Sequence, residues 1–124
     1  MPRVVHFEIS ANDPEKLATF YQSVFGWEIT KWAGPQDYWL IKTGEPGTPG
    51  IDGGFFRPTE QFTATVNTIQ VDDLDETVEK VKAAGGQTVT SKSIVPGVGY
   101  LIYCRDVEGT LFGLHQADAR AGMG

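Results

Sequence analysis

The sequence predicts an α+β fold built from two βαβββ modules. Three observations carry this. An alternating strand followed by a capped helix and a glycine stop occurs twice. Each helix is followed by strand-like runs sufficient for three strands. Setting Asp13 on Asp73 lays HFEISAND over VNTIQVDD and brings Gly26 within one residue of Gly85, a period of about sixty residues. That period is too long for a solenoid repeat.

In the first repeat, VVHFEIS puts Val5, Phe7 and Ile9 on one face and Val4, His6, Glu8 and Ser10 on the other. Asp13 is a good N-cap, Pro14 suits the first helical position, and Glu15 favours the positive end of the helix dipole. Leu17, Phe20, Tyr21, Val24 and Phe25 then form an apolar stripe, and Gly26 ends it. WEITKW and DYWLIKT read as strands around the turn AGPQ, and EPGTPGIDGG as a loop leading into a short strand near GGFF. In the second repeat VNTIQV is a strand, and Asp73 with Glu76 makes a cap close to a capping box. Leu74, Val78, Val81 and Ala84 form the second helical stripe, closed by Gly85-Gly86. QTVTSKSI, GYLIYCRD and GTLFGLHQ complete the module. The expected organisation is a single domain, 1–124, with repeats at about 3–58 and 62–117 and a loose tail over 118–124. A helix covers one face of each sheet, and the other face is left to curve around something.

Composition narrows the function. The net charge is −6 and no Lys/Arg cluster exceeds a pair, which argues against nucleic acid and anionic membranes as partners. The single cysteine, Cys104, excludes an internal disulfide and a cysteine-based zinc site and suits a reducing cytoplasm. It reads as an inert thiol within a strand. No apolar run approaches membrane-spanning length, so a soluble cytoplasmic protein is expected.

VVHFEISANDPEKLATFYQSVFGW, IQVDDLDETVEKVKAAGG and DVEGTLFGLHQ together resemble the vicinal oxygen chelate superfamily, which comprises glyoxalase I, bleomycin-resistance proteins and extradiol dioxygenases. The resemblance runs from Val4 to about Gln116 and is closest to small single-domain glyoxalase-like members. It implies a cup-shaped sheet, frequent homodimers and, in metal-using members, ligands at four points on the concave face. These lie in the first and last strands of each module. His6 falls on the first point. The others fall on Gly53 or Gly54, on Val66 and on Gly113, none of which has a side-chain donor. One imidazole cannot hold a divalent ion well.

The resemblance therefore implies a metal-free cup that binds a small, partly apolar organic molecule, with no cofactor. The expected ligand-binding residues are His6, Glu8, Trp39, Phe56, Gln70 and Gly113. Trp27, Trp32, Tyr38, Phe55 and Tyr100 add further aromatic surface, at least half of all these rings being expected in the core. Alternation sends one of Tyr38 and Trp39 to the cavity and the other to the helix, without saying which. The acidic balance favours neutral or cationic ligands. The alternative is a lyase, isomerase or dioxygenase-type enzyme. It would use His6 and Glu8 as a catalytic acid–base pair, or a divalent metal at a displaced His6, Glu8 and His115 site with Gln70 as a weak fourth donor.

Overall fold

The structure, a computed structural model, describes residues 2–34, 36–57 and 65–123. Pro35 of the expected AGPQ turn, the link 58–64 between the repeats, and Gly124 lie outside the described residues. The chain divides into two compact units, His6–Val66 and Asn67–Gly124, the latter together with Met1–Val5.

The first unit contains β1 (Arg3–Ser10, from His6 onward), α1 (Pro14–Phe25), β2 (Glu28–Lys31), β3 (Tyr38–Lys42) and β4 (Asp52–Phe56). Its strand order is β2-β3-β4-β1, with β1 parallel to β4 and the other pairs antiparallel. α1 starts where Asp13 accepts the Lys16 amide at 3.1 Å and ends at Gly26, whose φ of 73° is the left-handed conformation that favours glycine. The core beneath it holds Trp39, Ile41 and Phe55, with Phe7, Ile9 and Ile29 packed around them. The residues α1 turns toward this core are Pro14, Leu17, Ala18 and Tyr21, at i, i+3, i+4 and i+7. The stripe expected from sequence is thus only half right: Phe20, Val24 and Phe25 are each more than half exposed. The buried contact side of α1 is centred on the small Ala18, which a stripe drawn from large apolar residues does not include. Tyr21 stacks on Trp27 with centroids 4.9 Å apart, which ties the helix to the chain that follows it.

The second unit contains β5 (Thr65–Gln70, from Asn67 onward), α2 (Leu74–Ala83), β6 (Gln87–Thr88), β7 (Ser93–Val95), β8 (Gly99–Arg105) and β9 (Leu111–Ala117). β5 runs parallel to β9, β8 is antiparallel to β9, and β6 and β7 both pair with β8. The run QTVTSKSI is therefore two short strands rather than one. Asp73 caps α2 by accepting the Glu76 amide at 3.0 Å. Leu74, Val78 and Val81 pack on Ile102, Cys104 and Leu114 as the stripe predicts, whereas Ala84 is the exposed C-cap. The tail expected to be loose is instead fastened as far as it is described. The Gly97 amide donates to the Ala121 carbonyl and the Asp118 amide to the Val98 carbonyl, both at 2.9 Å, and Ala121 is buried. Turn hydrogen bonds carry no hydrophobic period, so the pattern alone could not show them. Among the described residues no helix is long and apolar enough to cross a membrane.

Candidate functional site

Strand register sorts the paired residues of β1, β3 and β4 onto one of two faces. His6 pairs with Asp52, Glu8 with Gly54 and Ser10 with Phe56; across the next pair, Tyr38 faces Phe56 and Leu40 faces Gly54. Directly paired residues project to the same side. His6, Glu8, Asp52, Gly54, Phe56, Tyr38 and Leu40 therefore share the face away from α1. Phe7, Ile9, Trp39, Ile41 and Phe55 occupy the helix side.

This places Tyr38, not Trp39, beside His6. The Tyr38 hydroxyl lies 2.8 Å from His6 Nε2, a hydrogen bond in either tautomer of the ring. Trp39, expected to contact ligand, is instead 6% exposed in the core under α1. The cause is the one-residue alternation of β3, which cannot send both rings the same way. Phe56 stands on the His6 face, and Glu8 is also there, only 7% exposed. Burial holds the His6 imidazolium below the ordinary histidine range, while the Glu8 and Asp52 carboxylates pull it back up. His6 is neutral at physiological pH on that account.

Beside His6 lies an open hollow of about 360 Å³, lined also by Glu28, Thr30, Leu40, Lys42 and Asp52 of the same face, with Ile41 and Gly53 of the alternate positions at its wall. Most of these residues were not expected. Their signal was present in the alternation of β2, β3 and β4, but the register that brings it beside His6 is not written in any one strand. Lys42 Nζ sits 3.7 Å from Glu28 and 3.6 Å from Glu45, so its charge is shared with two acids. Asp52 accepts from the Thr43 amide at 2.8 Å, which fixes the start of β4 against the end of β3.

In the second unit Gln70 pairs with His115 and Thr68 with Gly113, on the face away from α2. The residues present do not fit the four-point metal site of the metal-using relatives. Gly54, Val66 and Gly113 carry no side-chain donor, and a Cβ at 54 would fall on the Tyr38 hydroxyl. Among the described residues no group of three or more His, Cys, Asp or Glu side chains is placed to hold a metal ion. Of the displaced set, His6 and Glu8 share one face of the first unit, and His115 belongs to the second. His6 Nε2 is engaged by Tyr38, and His115 Nε2 lies 2.9 Å from where a Cβ on Gly99 would stand.

Comparison with known proteins places the fold in a family. The chain is 28% identical over 115 residues to CFP32 of Mycobacterium bovis and to its counterpart in Mycobacterium tuberculosis, both provisionally named as a glyoxylase. The match covers 85% of this chain but only 40% of those relatives, so the chain spans well under half their length. Among solved structures it resembles the hypothetical protein BH1468 from Bacillus halodurans, with a TM-score of 0.72 at 12% identity, over 94% of this chain and 95% of that one. It also resembles methylmalonyl-CoA epimerase from Mycobacterium tuberculosis, with a TM-score of 0.69 at 14% identity, over 93% and 87% of the two chains. Identities this low speak to fold alone. The family model matches residues 3–114, nearly the whole of both repeats, and the chain belongs to the Glyoxalase/Bleomycin resistance protein/Dioxygenase superfamily.

Proposed function

We propose that the protein binds a small, partly apolar organic molecule over the His6 face of its first unit, independently of a divalent metal. The observation that carries this reading is the open hollow of about 360 Å³ beside the His6–Tyr38 hydrogen bond. Its volume lies within the range of about 300–1,000 Å³ usual for ligand sites. Leu40, nearly half exposed, offers apolar contact, and Phe56 extends that character along the same face. Neutral His6, Thr30 and Tyr38 supply orienting hydrogen bonds. Glu28 and Asp52 outnumber Lys42 around the hollow, which favours neutral or cationic molecules over anions. The reading carries with it a homodimer, as the family resemblance implies, and a cytoplasmic setting, as the single cysteine suits.

Thermal melts with benzylamine, p-cresol and benzoate as probes test it. A probe at 100 times its Kd adds about 2.7 kcal/mol, on the order of 10 °C in Tm for a domain of this size. Benzylamine or p-cresol should raise Tm more than benzoate does, and His6→Ala should diminish the shift. If none of a widened panel of neutral and cationic aromatics moves Tm, the binding reading is lost.

A second reading is favoured by one observation. A neutral imidazole bonded to a phenol and flanked by Glu8 can accept and return a proton near neutral pH, as an isomerase or lyase requires. Retained turnover of any discovered substrate by His6→Ala would exclude it.

A further inference from the structure

Gly54 stands opposite Glu8 in β1, two residues along from His6, at the point where a metal-using relative would carry its second ligand in this module. That point is filled from β3. A Cβ at 54 would fall on the Tyr38 hydroxyl and the adjoining ring atoms, and the same hydroxyl is bonded to His6 Nε2 at 2.8 Å. A divalent ion bound by that nitrogen at about 2.0–2.1 Å would need the volume the phenol occupies. The second unit shows a looser contact of the same kind, without overlap with a ring. Gly113 pairs with Tyr103 in β8, and a Cβ there would lie 3.4 Å from the Tyr103 ring and 3.0 Å from Thr68 Oγ1. In each unit the glycine at the vacated position has a tyrosine lying against it.

We propose that Tyr38 takes the place of a metal ion in the first unit. Its hydroxyl is the internal partner of His6, and its bulk closes the position to a divalent cation, with Gly54 as the complementary residue that makes room for it. The missing ligands are then not an empty remnant. Large Tyr38 and side-chain-free Gly54 form one coupled device: removing Tyr38 uncovers His6 but adds no ligand, and a ligand added at 54 meets the Tyr38 ring. This inference concerns the metal position and stands apart from the identity of any organic ligand. The melts described above and the titration below can therefore fail separately.

The test is a Co²⁺ titration of the full chain, read by calorimetry and by the visible absorption of the bound ion. It compares the wild type, Gly54→Glu, Tyr38→Ala and the double variant Tyr38→Ala/Gly54→Glu. The double variant places a new carboxylate opposite Glu8 and beside His6, three donors on one face, as many as a catalytic zinc site takes from protein. The expected result is one equivalent of Co²⁺ bound at least tenfold more tightly by the double variant than by the wild type or Gly54→Glu, with the gain abolished by adding His6→Ala. Three results would overturn the proposal: stoichiometric His6-dependent Co²⁺ binding by the wild type, a gain in Gly54→Glu equal to that of the double variant, or a folded double variant without a gain. Should the double variant not fold, Tyr38→Ala decides alone. Diethyl pyrocarbonate should modify His6, located by peptide mass spectrometry, severalfold faster in Tyr38→Ala than in the wild type. An unchanged rate refutes the plug.

Discussion

Tyr38 and Trp39 are neighbours in β3 and serve opposite faces of the first unit: the Tyr38 hydroxyl reaches His6 Nε2 at 2.8 Å, while the Trp39 ring lies in the core under α1. Site and core are therefore separated by a single peptide bond. From His6 onward in β1, and throughout β3 and β4, every side chain on the helix side is apolar or glycine, and the His6 face holds the ionisable groups of these segments.

The two positions should respond differently to truncation. Trp39→Ala empties a core site and is expected to cost about 3–5 kcal/mol. Tyr38→Phe removes one hydrogen bond and keeps the ring, for an expected cost of about 0.5–1.5 kcal/mol. Urea denaturation of both variants measures this. In the probe melts the order should reverse, with Tyr38→Phe changing the ligand-induced shift and any folded conservative variant at Trp39 leaving it intact. Equal loss of stability from the two would mean that the faces are wrongly assigned.

The adjacent glycines give a second contrast. A Cβ on Gly53 would meet the Phe7 carbonyl oxygen, a backbone atom of β1 that cannot move without breaking the sheet. A Cβ on Gly54 would meet the far end of the Tyr38 side chain, which can swing. Gly53→Ala should therefore be the more damaging, at or beyond the upper end of the roughly 1–3 kcal/mol typical of overpacking. Gly54→Ala should be milder and largely rescued by Tyr38→Ala. A double-mutant cycle on stability reads this coupling directly. Additive losses at 38 and 54 would separate the pair.

Much of this architecture is legible in local sequence because its signals are local. Asp13 and Asp73 announce the helix starts, Gly26 announces a stop, and the alternation VVHFEIS separates His6 and Glu8 from Phe7 and Ile9; each is realised. What local pattern cannot carry is cross-strand register. The choice between Tyr38 and Trp39, the presence of Asp52, Thr30 and Leu40 around His6, and the filling of Gly54 by a ring from β3 all depend on how separate strands align. The α1 stripe fails for a related reason. Five apolar residues offer more surface than the sheet can cover, and the small Ala18, which a count of large residues passes over, decides which side is buried.

Cys104 should behave as a silent thiol. It is 0% exposed within the α2 core, and burial pushes its pKa up, so little thiolate forms at neutral pH and none meets solvent. Reaction with Ellman's reagent should be slow under native conditions and accelerate across the urea unfolding transition. Rapid stoichiometric labelling of the native chain would show that the α2 side of the second unit opens readily.

The His6 environment predicts the direction of pH dependence. Folding lowers the imidazole pKa below the roughly 6.5 of an unfolded chain, because burial penalises the charged ring more than Glu8 and Asp52 stabilise it. Between the folded and unfolded values the unfolded chain binds more protons, so stability rises with pH through that window. The contribution of neutral His6 is fully present above about pH 6.5 and is lost as pH falls through the depressed folded value. Tm should accordingly drop on acidification from pH 7.5 toward pH 5, and the slope in that range should be shallower in His6→Gln, whose amide can still bond the Tyr38 hydroxyl without titrating. The difference between wild type and variant isolates His6, since every carboxylate is common to both proteins. A wild-type slope no steeper than that of His6→Gln would show that His6 is not the group that charges as the fold weakens. Probe binding should follow the same course, since a protonated ring would oppose a cationic molecule in the neighbouring hollow: the benzylamine-induced shift is expected to fade as pH falls through the depressed His6 value, and the p-cresol shift to fade less.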